Sequence, residues 1–198
     1  MFFPETVITG CGNPLYADDG FGPAVIQSLK KCSLPAGVKA VDAGTGGNEF
    51  VFSLLDPMIT RRLIVVDAAD FGAKPGTLTL ISISDLPAGR ITDHRPGGVA
   101  ETLIMMKDVI EILLLWCQPG LVTYPDMHIG LSPEVRAAIP LACQAISEMS
   151  SGSQPWSIIF GQEMMNDYTD SLLLPVNSVR WKQFLFFPCS AGCNSQGR

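Results

Sequence analysis

Five short apolar runs recur through the first three-quarters of the chain, and between them apolar positions return at helical spacing. TVITG (residues 6–10) and VKAVDA (38–43) predict the first two strands. RLIVVDAA (62–69) and EILLLWC (111–117) are almost continuously apolar, as strands covered on both faces of a sheet are. TLTLISIS (77–84) alternates hydroxyl with aliphatic residues, which predicts an edge strand with one wet face. Gly22-Pro23 opens the helical pattern PAVIQSLKK, with proline at a tolerated first-turn position and lysines near the end. NEFVFSLLDP and VAETLIMMKD are shorter helical candidates, and SPEVRAAIPLACQAISEMS is the clearest, with Ser132 as N-cap and an expected kink at Pro140. The order β-α-β-α-β-β-α-β-α predicts an α/β fold. We expect a three-layer α/β/α sandwich on a mostly parallel sheet with one antiparallel edge strand.

The pattern changes near Ser150. SSGSQP resembles a linker, and the remainder shows no clean period although it holds many large apolar residues. The expected division is therefore one domain over residues 1–149 and a C-terminal extension of unknown role over 150–198. A chain of 198 residues makes two ordinary domains unexpected.

Composition narrows the function. A net charge of -6 without a Lys/Arg cluster argues against nucleic acid as a partner. FFPETVITG after Met1 lacks a basic start and a long apolar stretch, so neither a signal peptide nor a membrane anchor is expected, and the expected location is cytoplasmic. The six cysteines lie mainly in apolar segments, where reduced thiols behave as small hydrophobes. Cys189 and Cys193 form a single close pair, a weak metal signal without a second pair or a neighbouring histidine.

In open α/β sheets, ligands occupy the crevice beyond the carboxyl ends of the strands. GCGNPLYADDGFG (10–22) places Asp18 and Asp19 there, DAGTGG places Asp42, and the run RLIVVD ends on Asp67. A pyrophosphate site would want glycine where Leu15 stands and would not want two carboxylates, so this loop suits a cation. A DHRPGG loop folded over the same edge would add His94. Asp19, Asp67 and His94 would then offer two carboxylate oxygens and an imidazole nitrogen to a divalent ion such as Ni²⁺ or Zn²⁺, with coordination positions left open. Blander roles stand beside this one. Asp18 fits a turn former or cap, Asp42 a loop-holding residue, His94 a solvated side chain, and His128 a residue that caps or packs before the last helix. No Gly-x-Ser-x-Gly elbow exists, and neither Cys11 nor Cys117 has a plausible base nearby in sequence, so a side-chain nucleophile is poorly supported.

Four segments together carry a family resemblance: GCGNPLYADDGFGPAVI, VDAGTGG, LIVVDAADFGAKPGT and HIGLSPEVRAAIP, spread over residues 5–149. In order and spacing the chain resembles the hydrogenase maturation proteases, endopeptidases that trim the large subunit of [NiFe]-hydrogenases. LLDPMITRRLIVVDAADFGAKPGTL looks most like the branch associated with the F420-reducing hydrogenase. The resemblance implies a phosphorylase-like domain and a metal-dependent endopeptidase that removes the C-terminal peptide of the nickel-loaded large-subunit precursor. It places metal-binding and catalytic roles on Asp19, Asp67 and His94. The nickel would arrive in the precursor, with zinc or cadmium as substitutes in a crystal, and the enzyme would act as a monomer. A non-catalytic nickel-sensing assembly module that binds the same precursor is the alternative expectation. A nucleotide-binding α/β protein is a third, which titration with NAD or ATP would exclude.

Overall fold

The computed structural model describes residues 3–85, 103–104 and 106–150. The five apolar runs form β1 (Thr6–Cys11), β2 (Val38–Gly44), β3 (Arg62–Ala68), β4 (Leu78–Ser82) and β5 (Glu111–Cys117). They make one sheet in the order β2-β1-β3-β5-β4. The β1–β2, β1–β3 and β3–β5 pairs are parallel, and β4 runs antiparallel to β5 at the edge. The expected fold class is thus the observed one. Helices α1 (Phe21–Leu29), α2 (Gly47–Ser53) and α3 (Pro133–Ser150) coincide with three of the four helical patterns. Of VAETLIMMKD, residues 99–102 and 105 lie outside the described residues, and Leu103, Ile104 and Met106 are helical.

Alternation along the central strands divides the core in two. Ile8, Ile64, Val66, Leu113 and Leu115 face one side, where Phe21, Val25 and Ile26 of α1 and Val135, Ala138 and Ile146 of α3 cover them. Val7, Leu63, Val65, Ile112 and Leu114 face the other, against Val51 of α2, Leu55 and Leu103. Each large aliphatic side chain fully buried in this way contributes roughly 1.5–3 kcal/mol relative to exposure. Double coverage is why β3 and β5 read as continuous apolar runs.

The wet edge is not where the alternation places it. Leu78 through Ile81 of β4 are all buried, and Thr79 is only 1 % exposed. The threonine methyl packs like a small aliphatic group, so a hydroxyl-bearing position did not mark a solvated face. The more open edge is β2, in which Ala43 alone is fully buried. In α3 the helix continues through Pro140, which lies on its exposed side.

Two glycines let α1 lie directly on the strand ends. A Cβ at Gly22 would overlap the carbonyl oxygens of Cys11 and Val66, and one at Gly10 would overlap the Gly22 carbonyl. These are backbone obstacles, which cannot swing aside. We expect Gly22→Ala to push α1 off the sheet and destabilise the protein by about 1–3 kcal/mol. Thermal unfolding checks this, and an unchanged Tm would show that the helix can be displaced at no cost.

Candidate active site

All four parallel strands end at one rim, with Cys11 beside Gly44 and Ala68 beside Cys117. At β1 the chain turns sharply. Gly12 has φ +119° and donates its N–H to the Gly44 carbonyl at 3.0 Å. The loop then doubles back through a short 3-10 turn, Ala17–Gly20, before α1 begins. This return brings the half-buried Asp19 to the start of its own loop, where Oδ2 accepts the Asn13 N–H at 2.8 Å. A side chain at Gly12 would overlap the Asp19 carbonyl and lie 3.4 Å from Oδ1 of Asp67. Asp19 and Asp67 therefore both border Gly12, although 48 positions separate them in the sequence (67 − 19). Asp67 sits on the β3 face shared with Leu63 and Val65, pairs in register with Trp116, and accepts the Ala68 N–H on Oδ1 at 2.8 Å.

Asp18, the neighbour of Asp19, does something different. It is 0 % exposed, and its carboxylate accepts four hydrogen bonds. Oδ2 takes the N–H groups of Gly120 and Leu121 at 2.8 Å each and the Ser132 hydroxyl at 2.9 Å, while Oδ1 takes the Ser132 N–H at 2.6 Å. Ser132 is the residue before α3, so Asp18 fixes both ends of the 120–132 connection. Main-chain bonds reinforce the clamp. The Asp18 N–H reaches Leu121 O at 3.0 Å, the Ala17 N–H reaches His128 O at 2.8 Å, and the His128 N–H reaches Leu15 O at 2.8 Å. Ala17 holds φ +56° between these contacts, a left-handed conformation that costs a non-glycine residue about 1 kcal/mol or more. The His128 side chain is exposed, and the residue serves the site through its backbone.

Asp42 is exposed and turns back to its own loop, where Oδ1 accepts the Gly44 N–H at 3.0 Å. That is the loop-holding role expected of it. Asp70 is exposed on the loop after β3. A hydrogen bond from the Gln118 amide, aided by the Gly72 N–H and opposed by slight burial, holds its carboxyl below the usual range. Its charged form is thus favoured, and the accompanying stabilisation is present above the unfolded-state pKa and lost as pH falls through the folded one. Gln118 is the residue that sequence reasoning passed over. It closes the run EILLLWCQ at the rim, and a polar residue that ends a doubly covered strand was the available signal.

Of the three expected ligands, Asp19 and Asp67 border one glycine, and His94 lies outside the described residues. Among the described residues no group of three or more His, Cys, Asp and Glu side chains could hold a metal ion. Cys11 and Cys117 are buried, Cys32 is exposed and Cys143 is half-buried, and none of these four is in a disulfide. Burial pushes the Cys143 thiol up. Cys189 and Cys193 lie outside the described residues. Two acidic residues, Asp19 and Asp67, thus stand at a rim formed by strand ends, beside the Gly12 turn.

The α/β fold is that of a known group of proteases. The chain belongs to the hydrogenase maturation protease family, whose profile (HycI) matches residues 23–149. It is 39% identical over 146 residues to the coenzyme F420 hydrogenase subunit delta of Methanothermobacter thermautotrophicus, an alignment that covers 72% of this chain and 92% of the relative. Among solved structures it resembles the hydrogenase 2 maturation peptidase of a thaumarchaeote, with 30% identity, a TM-score of 0.54 and coverage of 73% and 97%. It also resembles the hydrogenase maturating endopeptidase HybD of E. coli, with 25% identity, a TM-score of 0.61 and coverage of 75% and 94%. The family resemblance carried by the four segments is thereby shown. No helix among the described residues is long and apolar enough to cross a membrane.

Proposed function

We propose that the protein is an endopeptidase that removes the C-terminal peptide of a nickel-loaded [NiFe]-hydrogenase large-subunit precursor in the cytoplasm, as a monomer. The observation that carries this reading is the placement of Asp19 and Asp67 at Gly12, in a chain of the maturation protease family. Nickel belongs to the substrate. Two carboxylates, joined by His94, form a mixed oxygen and nitrogen donor set that suits a borderline ion and leaves positions for the precursor's own ligands. When bound, such an ion supplies a Lewis acid that polarises a carbonyl or lowers the pKa of water.

The chain's own residues have three tasks. Asp19 is held on the turn after β1, where its Oδ2 accepts the Asn13 N–H. The main chain of Asp67 is set by its place near the end of a central strand. Either carboxylate can accept a proton from water and return it to the departing amine, which needs no serine or cysteine nucleophile. The Asp18 clamp supports these tasks by fixing the turn on which Asp19 sits.

Intact-mass measurement of a purified precursor tests the proposal. Incubated with this protein, the nickel-loaded precursor should lose a C-terminal peptide and the nickel-free precursor should not. An unchanged mass beside a stable complex with the loaded precursor would instead establish the non-catalytic assembly module and overturn the protease.

A further inference from the structure

One buried amide reaches three residues of the loop after β3. Gln118, at the carboxyl end of β5, is 6 % exposed and uses its full side-chain hydrogen-bonding capacity on neighbouring residues. Oε1 accepts the N–H groups of Phe71 at 2.9 Å and Ala73 at 3.1 Å. Nε2 donates to Oδ1 of Asp70 at 3.1 Å and to the Pro119 carbonyl at 3.3 Å. The amide orientation is determined by these partners, because reversal would set NH₂ against two N–H groups and oxygen against a carboxylate. The main chain of Gln118 is fixed as well, through its N–H to Thr77 O at 2.8 Å and its carbonyl from the Gly76 N–H at 2.9 Å.

The loop held in this way begins directly after Asp67. Ala68 donates its N–H to the Asp67 carboxylate, and the Ala69 N–H bonds the Cys117 carbonyl at 3.0 Å, one residue before Gln118. From Ala69 to Ala73, the path of the chain is set by the end of β5. We propose that Gln118 is a positioning residue for the peptidase reaction: its amide, with Asp70 as anchor, fixes the 69–73 loop and so holds the Asp67 carboxylate beside Gly12. The inference rests on the reading of Asp67 given under Proposed function. Gln118 does not touch the reacting atoms, and its contribution is the orientation of a carboxylate that does. A leucine or methionine would fill the same space but leave the Phe71 and Ala73 N–H groups without this acceptor, so folding is read beside activity in the test.

The experiment is steady-state processing of nickel-loaded precursor by the full chain and its variants. Gln118→Met keeps the volume and removes all four bonds. Its kcat should fall roughly ten- to a hundredfold with KM within about twofold of wild type, as expected when a reacting group is displaced while substrate docking is retained. Asp70 supplies a second, surface test that leaves the core intact. Asp70→Ala, which frees one arm of the amide, should lower kcat by several-fold, and Asp70→Asn, which keeps an oxygen for Nε2, should restore it. A folded Gln118→Met enzyme with unchanged kcat would overturn the inference, and so would an Asp70→Asn variant as impaired as Asp70→Ala. If Gln118→Met does not fold, a wild-type kcat for Asp70→Ala alone overturns it. Asp67→Asn, run beside these, separates the two ideas. Normal processing by that variant refutes the role of Asp67, whereas an inactive Asp67→Asn beside an unimpaired Gln118→Met refutes only the role of Gln118.

Discussion

Asp18→Ala is expected to lower the stability of the folded protein by about 3–5 kcal/mol, the largest loss we anticipate for any rim residue. Its carboxylate is fully buried and receives three main-chain N–H groups and one hydroxyl. Removing it leaves those donors without their acceptor, and an unsatisfied group costs about 1–3 kcal/mol where water does not reach it. Partial relaxation and water entry keep the sum below the simple total. Against a typical domain stability of about 5–15 kcal/mol, this is a large fraction. Asp18→Asn should cost less, about 2 kcal/mol, because an amide oxygen still serves the Oδ2 donors while its NH₂ opposes the Ser132 N–H. Asp42→Ala is the control. That carboxylate is exposed and holds one local N–H, so its loss should stay within about 0.5 kcal/mol. Denaturant titration of the three variants gives the comparison, and equal midpoints for Asp18→Ala and Asp42→Ala would show that the buried clamp contributes nothing to stability.

The contrast between these aspartates also shows what a sequence can disclose. Strands β1, β3 and β5 were readable because burial on both faces demands apolar residues at successive positions, a constraint that acts within a few residues. Helix α3 was readable for the same local reason, from Ser132 and the spacing of Val135, Ala138, Ala142 and Ile146. Placement of acidic residues at the rim followed from strand ends alone, and Asp19 and Asp67 indeed border one turn. What stayed hidden was non-local. Asp18 bonds groups 102, 103 and 114 positions away, and nothing in ADDG announces them. Gln118 reaches back 45 to 48 positions to the loop after β3. The β4 edge misled for another reason, since a hydroxyl in the alternating pattern does not distinguish a solvated face from a covered one.

Asp67→Asn and Asp19→Asn should each leave the protein folded, within about 1 kcal/mol of wild type, and reduce processing of nickel-loaded precursor by roughly a hundredfold or more. The stability half follows from position: both side chains are half-buried at the rim, and an asparagine oxygen can still accept the Asn13 N–H in one case and the Ala68 N–H in the other. The activity half follows from charge. An amide is a far weaker cation ligand than a carboxylate and cannot accept a proton from water, and general acid–base assistance alone is worth about 10²–10⁴-fold. Because the Asp67 carboxylate and the Asp19 main chain border the same glycine turn and the two side chains are proposed to act on the same ion, their losses should not multiply. The Asp19→Asn/Asp67→Asn double variant should be about as slow as the worse single one, as for groups that act as a unit. Independent roles would give a product of the two effects instead. Three measurements on each variant decide the matter: Tm, initial rate of precursor cleavage by intact mass, and retention of nickel-loaded precursor on immobilised protein. A variant that still cleaves at the wild-type rate removes its aspartate from the mechanism. One that unfolds assigns that aspartate to the scaffold, beside Asp18.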